Sequence, residues 1–499
     1  MTEVNNHDDI QFWEIIKDEK GNIIGIKIKK AEFIRFLENR NYKKLIQNKD
    51  FQLVKIYNNS IVASVLEHSI RSEVKKHLLD TGESLVWETF LGQDYLAKRF
   101  IESIDGIHIN FKYGDENTAV FFYRNGILYV TPDSLTITPY AEYDGYVWED
   151  QILKRDFIIQ PFDDCEFKQF CWNIAGQKED RLLALETLIG YLLHTYKDPS
   201  LTKAIILMDE HIDLEIGKSN GGTGKTLVAD GIDKIIPSLR KNGKLLKPND
   251  RFFFSDVEPY HKVIVFDDVK DNFSFESLYS MITGDMPIEK KYKNAVIMDF
   301  KDVPKVLITS NYIVAGTGGN SEKRRKITFE VSSHYGENNT VIQEFGHRFF
   351  NDWTNEEWIK FDNYMMFCVQ QYLSNGLIEA PSINENKNRL IQDTHSDFVI
   401  FIDTVLENPL GYGGEFKDTR LGFDKAVIYQ SFANAYPELS KQVSSIQFKK
   451  WIDMYGDSKK HIIEHKKSNG HSYVIFHNVV INPDLDLEDP DEGVPESEE

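Results

Sequence analysis

The stretch SNGGTGKT, from Ser219 to Thr226, has the residue types that bind a phosphate chain. Its glycines allow a tight turn in which backbone N–H groups converge on phosphate oxygens. We expect the Lys225 ammonium to reach the β- and γ-phosphates of a nucleotide and the Thr226 hydroxyl to bind Mg²⁺. The helix predicted to follow adds the positive end of its dipole. The predicted nucleotide-binding residues are Asn220, Gly221, Gly222, Thr223, Gly224, Lys225 and Thr226.

This loop departs from the usual phosphate-binding pattern in two ways. Ser219 stands where the pattern has its first glycine. A polar segment, 209–218, separates the loop from the short apolar strand predicted at 204–208. A flexible glycine-rich loop without a ligand is the alternative interpretation of this stretch.

An acidic pair ends the second apolar stretch, HKVIVFDD, from His261 to Asp268. Because a buried parallel strand can deliver carboxylates at its C-terminal end, we expect this pair to lie beside the glycine-rich loop. Asp267 is the predicted Mg²⁺ ligand, acting through water. Asp268 is predicted to orient or deprotonate an attacking water. A simple turn or a helix cap is the alternative role for the pair.

Two further motifs have side chains that suit phosphoryl transfer. The apolar stretch VLITSN ends in Asn311, whose amide could sense a γ-phosphate. The sequence EKRRK then precedes a strand predicted at 327–331. A guanidinium suits the charge that develops on a γ-phosphoryl group, and a neighbouring subunit can supply it. Arg324 and Arg325 are therefore candidates, and a solvated basic turn is the alternative. The predicted catalytic residues are Lys225, Asp267, Asp268, Asn311, Arg324 and Arg325.

A basic and aromatic cluster lies between the second and third apolar stretches. It consists of Lys290, Lys291, Tyr292 and Lys293. Lysines bind phosphates as point charges, and an aromatic ring can stack on a base, so the cluster could contact single-stranded nucleic acid. A lysine-rich surface hairpin is the alternative. The net charge of −21, of which nine negative charges lie in the tail 484–499, means that any nucleic-acid surface must be a focused basic patch.

Composition favours a globular protein without membrane or disulfide features. Apolar residues make up 41% and charged residues 27% of the 499 residues. There is no run of about 18 apolar residues, as a membrane span requires, and no signal peptide is recognisable. The three cysteines have no C-x-x-C spacing, which argues against a zinc site and fits a reducing cytoplasm.

Periodicity and turn signals predict an α/β protein of several domains. Predicted elements include hairpins at 12–28 and 119–130, the latter with a type I′ turn at Asn125-Gly126, and a helix at 31–45. We expect a small α/β module (1–110), a hairpin with a helical collar (111–200), a P-loop ATPase core with a parallel sheet (201–340), a helical, winged-helix-like C-terminal domain (341–483) and an acidic disordered tail (484–499). A purely structural C-terminal lobe with a lysine-rich hairpin is the alternative for the fourth segment.

The ordered set SNGGTGKT, VIVFDD, GDMPIEKKYK and VLITSN, followed by the Arg324-Arg325 pair, resembles the superfamily III helicases. These are AAA+-type replicative helicases, and the likeness is to the poxvirus, phage and plasmid primase–helicase group. The resemblance covers about residues 100–340 well, the C-terminal part loosely and the first 100 residues hardly at all.

The resemblance implies an ATP- and Mg²⁺-dependent DNA helicase of a phage, prophage or other mobile element. Such a protein works as a homo-hexameric ring on single-stranded and forked DNA, here in a bacterial host cytoplasm and away from membranes. It implies that Lys290 and Lys291 contact DNA, that Asn311 is the polar sensor and that Arg324 or Arg325 is the arginine finger. A separate primase partner is left open. Two alternatives remain: a DNA-stimulated loader or remodeller that does not unwind, and a nucleotide-gated origin-binding protein.

Overall fold

The structure is a computed structural model that describes most of the chain. The described residues are 10–47, 50–109, 111–211, 222–246, 250, 252–270, 273–289, 296–314, 320–417, 420–468 and 470–477. The chain divides into two compact units. The first consists of Met1–Asp209 and Asn220–Pro381, and the second of Glu210–Ser219 and Ser382–Glu499. Within the described ranges, no helix is both long and apolar enough to cross a membrane. The predicted acidic tail, 484–499, lies outside the described residues.

The first unit begins with a hairpin and a small α/β arrangement. Its elements are β1 (Trp13–Lys17), β2 (Ile23–Ile28), α1 (Lys30–Asn39), β3 (Tyr42–Gln47), β4 (Asp50–Tyr57), β5 (Ile61–Ser64), α2 (Glu67–Asp80), α3 (Ser84–Leu91), α4 (Lys98–Ile101) and β6 (Gly106–Ile107). The predicted first hairpin is confirmed, with β1 and β2 antiparallel.

The helix predicted over 31–45 is wrong in its second half. Helix α1 ends at Asn39, and β3 follows and pairs antiparallel with β4. Tyr42 and Leu45 are both buried, and a spacing of three apolar positions is compatible with a helix as well as with a strand that has both faces covered. Pairing with β4 stabilises this segment as a strand, and no local sequence pattern reveals that pairing.

A three-stranded antiparallel sheet follows, formed by β7 (Ala119–Tyr123), β8 (Gly126–Val130) and β9 (Leu135–Thr138). The hairpin is confirmed, but its turn is not the predicted one. Tyr123 pairs with Gly126, so the loop residues are Arg124 and Asn125, and neither has a positive φ. The Asn125 side chain instead exchanges two hydrogen bonds with the backbone of Phe157. The next strand, β10 (Val147–Trp148), pairs with β5, so one sheet includes residues on both sides of position 110.

A five-stranded parallel sheet forms the centre of the first unit, as the sequence predicted. The helices and strands of this part are α5 (Glu166–Ile174), α6 (Glu179–Leu193), β11 (Ala204–Asp209), α7 (Lys225–Asp233), β12 (Ser238–Asn242), β13 (Val263–Val269), α8 (Tyr279–Thr283), β14 (Met286–Ile288), β15 (Val296–Met298), β16 (Lys305–Ser310), α9 (Asn320–Lys323), β17 (Lys326–Val331), α10 (Val341–Phe345) and α11 (Asn355–Asn375). The strand order is β12-β13-β16-β11-β17.

Both faces of the parallel sheet are covered, which explains why its strands are nearly continuous apolar runs. Ile205 and Leu207 face a core that also contains side chains of α5, α6, α7 and α11. Ile206 faces the opposite core, together with side chains of α8 and the β14–β15 hairpin. The predicted helical collar thus packs directly on the sheet.

The second unit combines helices with a four-stranded antiparallel sheet. Its elements are α12 (Glu385–Asp393), α13 (Ser396–Glu407), β18 (Glu415–Lys417), β19 (Arg420–Asp424), α14 (Lys425–Ala435), α15 (Pro437–Ser440), α16 (Ser445–Lys459), β20 (Ile462–Ser468) and β21 (His471–His477). The strand order is β18-β19-β21-β20, and one apolar core joins the sheet to the helices. Glu210 belongs here, because its carbonyl accepts hydrogen bonds from the Asn384 and Asn388 side chains at 3.1 and 2.8 Å.

Candidate nucleotide site

The carboxyl ends of three neighbouring strands bring the predicted motifs together at one edge of the sheet. Strand β16 lies between β11 and β13, and Ser310 pairs with Met208 on one side and with Val269 on the other. Asp209, the acidic pair and Asn311 therefore end their strands at nearly the same level. Since neighbouring strands are about 4.8 Å apart, the ends of β11 and β13 are separated by about 10 Å.

The glycine-rich loop leads directly into α7. Gly222 and Gly224 have φ values of 101° and 105°, which non-glycine residues rarely adopt. A Cβ atom at Gly224 would also lie 2.7 Å from the Phe170 ring, so this position needs glycine for two reasons. Lys225 begins the nine-residue helix. Two predicted nucleotide-binding residues, Asn220 and Gly221, lie outside the described residues.

A buried carboxylate holds the Lys225 side chain in place. The ammonium donates to Asp209 Oδ1 at 2.5 Å and to Thr223 Oγ1 at 3.1 Å, and the Thr223 hydroxyl donates to the same carboxylate oxygen at 2.6 Å. All three residues are buried. Asp209 ends β11, so the strand before the loop fixes the position of the lysine despite the intervening segment 210–219.

The acidic pair sits on a β-bulge. The register between β13 and β16 shifts between Phe266 and Val269, and Asp268 has a φ of 57°. A left-handed conformation in a non-glycine residue costs on the order of 1–3 kcal/mol, although aspartate tolerates it better than most. In a regular strand, neighbouring side chains point to opposite faces of the sheet. The bulge interrupts this alternation at the two aspartates.

The Thr309 hydroxyl connects both residues of the pair. It donates to Asp267 Oδ1 at 2.6 Å and accepts the backbone N–H of Asp268 at 2.8 Å. Thr309 itself is only 2% exposed, whereas its two aspartate partners are partly exposed. This side chain on β16 therefore fixes the geometry of the bulge on β13.

Replacing Thr309 with valine is expected to destabilise the protein by about 1–3 kcal/mol, because it leaves the Asp268 N–H buried without an acceptor. Turnover of nucleotide should fall further than nucleotide affinity, since the acidic pair loses its fixed position. Chemical unfolding and steady-state hydrolysis measure the two effects. Thr309→Ser, which keeps the hydroxyl, is the matched control. A valine variant with normal turnover would contradict this role of Thr309.

Asp268 also has partners from two other elements. Its Oδ1 accepts from the Asn311 side-chain amide at 3.3 Å, and its Oδ2 lies 2.5 Å from the Lys244 ammonium. The carboxylate of Asp268 raises the pKa of Lys244. Gly243 allows this approach, because a Cβ there would lie 2.6 Å from the Asp267 carbonyl oxygen. The predicted neighbours Asp268 and Asn311 are thus in contact.

Arg240, on β12, links the acidic pair to α7. Its guanidinium is 2.5 Å from Asp230 Oδ1 and 3.9 Å from Asp267 Oδ2. The second oxygen of Asp267 is therefore held less tightly than the first, which accepts from Thr309. An arginine at this position connects the helix after the loop to the strand that carries the acidic pair.

The predicted Mg²⁺ ligands have oxygen donors of the right type. Mg²⁺ prefers carboxylate, hydroxyl and water oxygens. Asp267 is partly exposed and Thr226 is exposed, with no hydrogen bond from the Thr226 hydroxyl to any residue that the structure describes. No group of three or more His, Cys, Asp or Glu in the described ranges could hold a metal ion by itself. This donor set suits an ion shared with a phosphate rather than a closed protein cage.

The two candidate arginines lie at the opposite, amino-terminal edge of the sheet. The N–H of Ala204, which begins β11, donates to the Arg325 carbonyl at 2.8 Å, whereas Asp209 ends the same strand. At about 3.3 Å per residue, these positions are roughly 17 Å apart. The Arg325 guanidinium lies 4.7 Å from the Tyr279 ring and donates to the Ser321 hydroxyl and carbonyl. Arg324 is exposed and has no partner among the residues that the structure describes.

The remaining predicted residues follow β14 and precede β15 in the sequence. Lys290, Lys291, Tyr292 and Lys293 lie outside the described residues. The strands on either side are described and pair antiparallel, with Ile288 opposite Val296. The contact of these four residues with DNA therefore stays a prediction.

Four residues of the site did not emerge from the sequence: Asp209, Thr309, Arg240 and Lys244. Asp209 follows an apolar run, which was a usable signal because the C-terminal ends of parallel strands collect functional groups. Thr309 stands inside the VLITSN stretch and would need its cross-strand partner to be recognised. Nothing in the local sequence distinguishes Arg240 or Lys244 from other surface cations.

No family model and no curated protein matches the chain. Two apo structures of the NrS-1 C-terminal region align over 89% of this chain and 98% of theirs, with 14% identity and TM-scores of 0.39 and 0.41. Drosophila ORC bound to DNA aligns over 66% of this chain and 93% of its own, with 13% identity and a TM-score of 0.18. An MCM homologue from Methanopyrus kandleri aligns over 68% and 74%, with 10% identity and a TM-score of 0.21. With TM-scores this low, these similarities carry no argument about the chain.

Proposed function

We propose that the chain is an ATP-dependent DNA helicase of the superfamily III type, acting as a homo-hexameric ring on single-stranded and forked DNA. The observation that carries the proposal is the convergence of Lys225, Asp267, Asp268 and Asn311 at the carboxyl edge of one parallel sheet. Ligands of open parallel sheets bind outside the carboxyl ends of the strands. The convergence supports a single site with separate groups for phosphate, metal and water.

Each side chain has a distinct role in this proposal. Lys225 binds the β- and γ-phosphates, with the loop residues from Asn220 to Thr226 around them. Thr226 and Asp267 hold Mg²⁺, which neutralises phosphate charge. Asp268 orients the attacking water or accepts its proton, and Asn311 contacts the γ-phosphate. The hydrogen bonds from Thr309 and Asn311 to the acidic pair support these assignments, because they fix two carboxylates before any ligand arrives.

The position of the arginines supports action between subunits. Because they lie at the far edge of the sheet, neither can reach the phosphates bound by its own chain. A neighbouring subunit in a ring could present them. Such a ring would also gather Lys290, Lys291, Tyr292 and Lys293 from six chains into one positive channel within an acidic protein of net charge −21. The biological setting that we infer is a phage or other mobile element in a bacterial cytoplasm, with a primase as a further partner to be sought.

DNA-stimulated ATP hydrolysis and strand displacement test the proposal together. We expect the wild type to hydrolyse ATP faster with single-stranded DNA and to separate a forked duplex. The combined change Lys290→Ala and Lys291→Ala should abolish both effects of DNA, because two phosphate contacts per subunit are lost. Lys20→Ala, an exposed lysine in the β1–β2 turn, is the matched charge control.

The other outcomes distinguish the alternative functions. Hydrolysis without strand separation would overturn unwinding and favour a loader or remodeller, as would normal DNA stimulation of the Lys290 and Lys291 variant. Site-specific DNA binding with no hydrolysis by the wild type would favour a nucleotide-gated origin-binding protein.

A further inference from the structure

A second pocket lies at the amino-terminal edge of the parallel sheet, away from the glycine-rich loop. Its volume is about 430 Å³, and three lysines and five aromatic residues contribute to its walls. Small-molecule pockets range from about 300 to 1,000 Å³, so it has room for one small ligand. Nothing in the proposed function uses it. Its lining includes Lys197, Lys301, Tyr129, Tyr143 and Tyr196.

Two ammonium groups in this pocket have no anionic partner. Lys197 is largely buried, and its ammonium lies 4.1 Å from the centre of the Phe300 ring. Lys301 is exposed. Neither forms an ion pair or a hydrogen bond with any residue in the described part of the chain. Burial lowers the pKa of Lys197 to about 7, against the opposing effect of Asp302. An anion bound beside Lys197 would favour the charged form of this side chain, which burial disfavours.

Further positive charge lies behind Lys197. Lys305, at the start of β16, is fully buried and donates to the carbonyls of Tyr191 and His194 at 2.6 and 2.5 Å. The charge of Lys197 contributes to lowering the pKa of Lys305, so the two ammonium groups are close. Lys262 lies 3.6 Å from the centre of the Tyr113 ring. The carboxylates of Asp302 and Asp198 offset only part of this charge.

Aromatic rings form the rest of the wall. The hydroxyl of Tyr143 is buried and has no hydrogen-bond partner among the described residues. Tyr129 is close enough to contribute to raising the pKa of Tyr143. Tyr196, next to Lys197 in the chain, is partly exposed and completes the set. Tyrosine rings offer stacking surfaces for planar bases, and their hydroxyls offer hydrogen bonds to base edges.

We propose that this pocket binds a nucleotide unit, with its phosphate at Lys197 and Lys301 and its base against Tyr129, Tyr143 and Tyr196. It is separate from the ATP site, because the strands of the sheet place the two at opposite edges. A neighbouring cavity of about 670 Å³ shares Phe111, Tyr113 and Lys301 with the pocket and is bordered by the β14–β15 hairpin. The ligand can therefore be a free nucleotide or one residue of a DNA strand that reaches the hairpin.

Charge restricts where the phosphate can lie. The larger cavity is lined by one lysine, Lys301, and by four carboxylates, those of Asp150, Glu258, Asp299 and Asp302. The smaller pocket is lined by three lysines and one carboxylate, that of Asp115. A phosphate is repelled from the larger cavity and attracted to the lysine end. The apolar side chains of the larger cavity can still contact a base, which would place a strand with its backbone toward the lysines.

Direct binding measurements on the full chain, without ATP, test the proposal independently of hydrolysis. Fluorescence anisotropy of a labelled single-stranded oligothymidylate and calorimetric titration of thymidine monophosphate are the two arms. Lys197→Ala and Lys301→Ala should each weaken binding by on the order of 10- to 100-fold, the effect expected for losing a charged hydrogen bond. Tyr196→Ala should weaken it by about 10-fold or more, and Tyr196→Phe, which keeps the ring, by less. Lys154→Ala, an exposed lysine outside the pocket, is the charge control.

The two arms identify the source of the ligand. Weakened binding of the oligonucleotide alone supports a DNA strand, and weakened binding of the monophosphate alone supports a free nucleotide. Normal binding of both by Lys301→Ala and Tyr196→Ala would overturn the proposal. Lys301 is exposed, so its replacement tests the site even if Lys197→Ala fails to fold. These binding measurements do not depend on ATP hydrolysis. Failure of the pocket proposal would therefore leave the proposed ATPase activity standing, and loss of the ATPase proposal would leave nucleotide binding in the pocket standing.

Discussion

Lys225→Ala should reduce ATP hydrolysis at least 10²- to 10³-fold, the range measured when one preorganised donor to developing charge is removed. Lys225 is the first residue of α7, whose N-terminal end also favours anions. Nucleotide affinity should fall as well, because the lysine contacts the ground-state phosphates. Steady-state hydrolysis and equilibrium binding of a fluorescent ATP analogue measure both losses.

Asp209 provides the matched control for Lys225. Removing the lysine also leaves the Asp209 carboxylate buried without its cation, which costs about 3–5 kcal/mol of stability in comparable buried pairs. Asp209→Asn keeps the ammonium and removes its competitor for phosphate, so we expect this variant to bind nucleotide at least as well as the wild type. Thermal unfolding separates loss of fold from loss of chemistry. A stable Lys225→Ala variant with normal hydrolysis would exclude the site.

Arg324→Ala is expected to lower ATP turnover by on the order of 10³- to 10⁵-fold while nucleotide binding persists. If one of the two arginines acts on another subunit as proposed, exposure and lack of contacts favour Arg324 over its neighbour. Arg324 is exposed and has no partner in the described ranges, whereas Arg325 is held by Ser321 and Tyr279. A free guanidinium can reach a phosphate on a neighbouring chain without first breaking contacts of its own.

Arg325→Ala is the comparison that makes the prediction specific. Its contacts are internal, so its main expected effect is a moderate loss of stability rather than of turnover. Hydrolysis by each variant, together with binding of the ATP analogue, distinguishes the two arginines. If both single variants hydrolyse ATP normally, neither is the finger. Mixing Lys225→Ala with Arg324→Ala should restore some hydrolysis, because one chain then supplies the loop and the other the arginine.

The sequence predicts the parallel sheet well because each of its buried strands is marked by a short local run of apolar residues. Strands β11, β13 and β16 are short apolar runs covered on both faces, and each predicted run became a strand. The helix predicted over 31–45 is confirmed up to Asn39 and wrong beyond it, because pairing between β3 and β4 overrides the helical spacing. Likewise, the predicted type I′ turn at Asn125-Gly126 is absent, and the Asn125 side chain instead forms hydrogen bonds with the backbone of Phe157, 32 positions away.

The candidate site was predictable in its parts and not in its connections. The glycines, the lysine and the paired aspartates are recognisable from their spacing in the sequence, because phosphate chemistry requires these residue types. The contacts of Thr309 with the bulge and of Asp209 with Lys225 join residues from different strands. Only strand order determines them, and strand order depends on long-range packing. The choice between Arg324 and Arg325 likewise depends on how exposed each side chain is and what it contacts. The sequence alone does not distinguish two adjacent arginines in this way.

The hydrogen bonds to the Glu210 carbonyl have a consequence for protein synthesis. Its partners, Asn384 and Asn388, lie 174 and 178 residues later in the chain. At about 5–20 residues per second, a ribosome needs roughly 10 to 35 s to reach them. During that time, the Glu210 carbonyl lacks the two amide donors that it has in the finished chain. A nascent chain ending near residue 381 could form the central sheet, but the Glu210 carbonyl would gain these two hydrogen bonds only after the second unit has emerged.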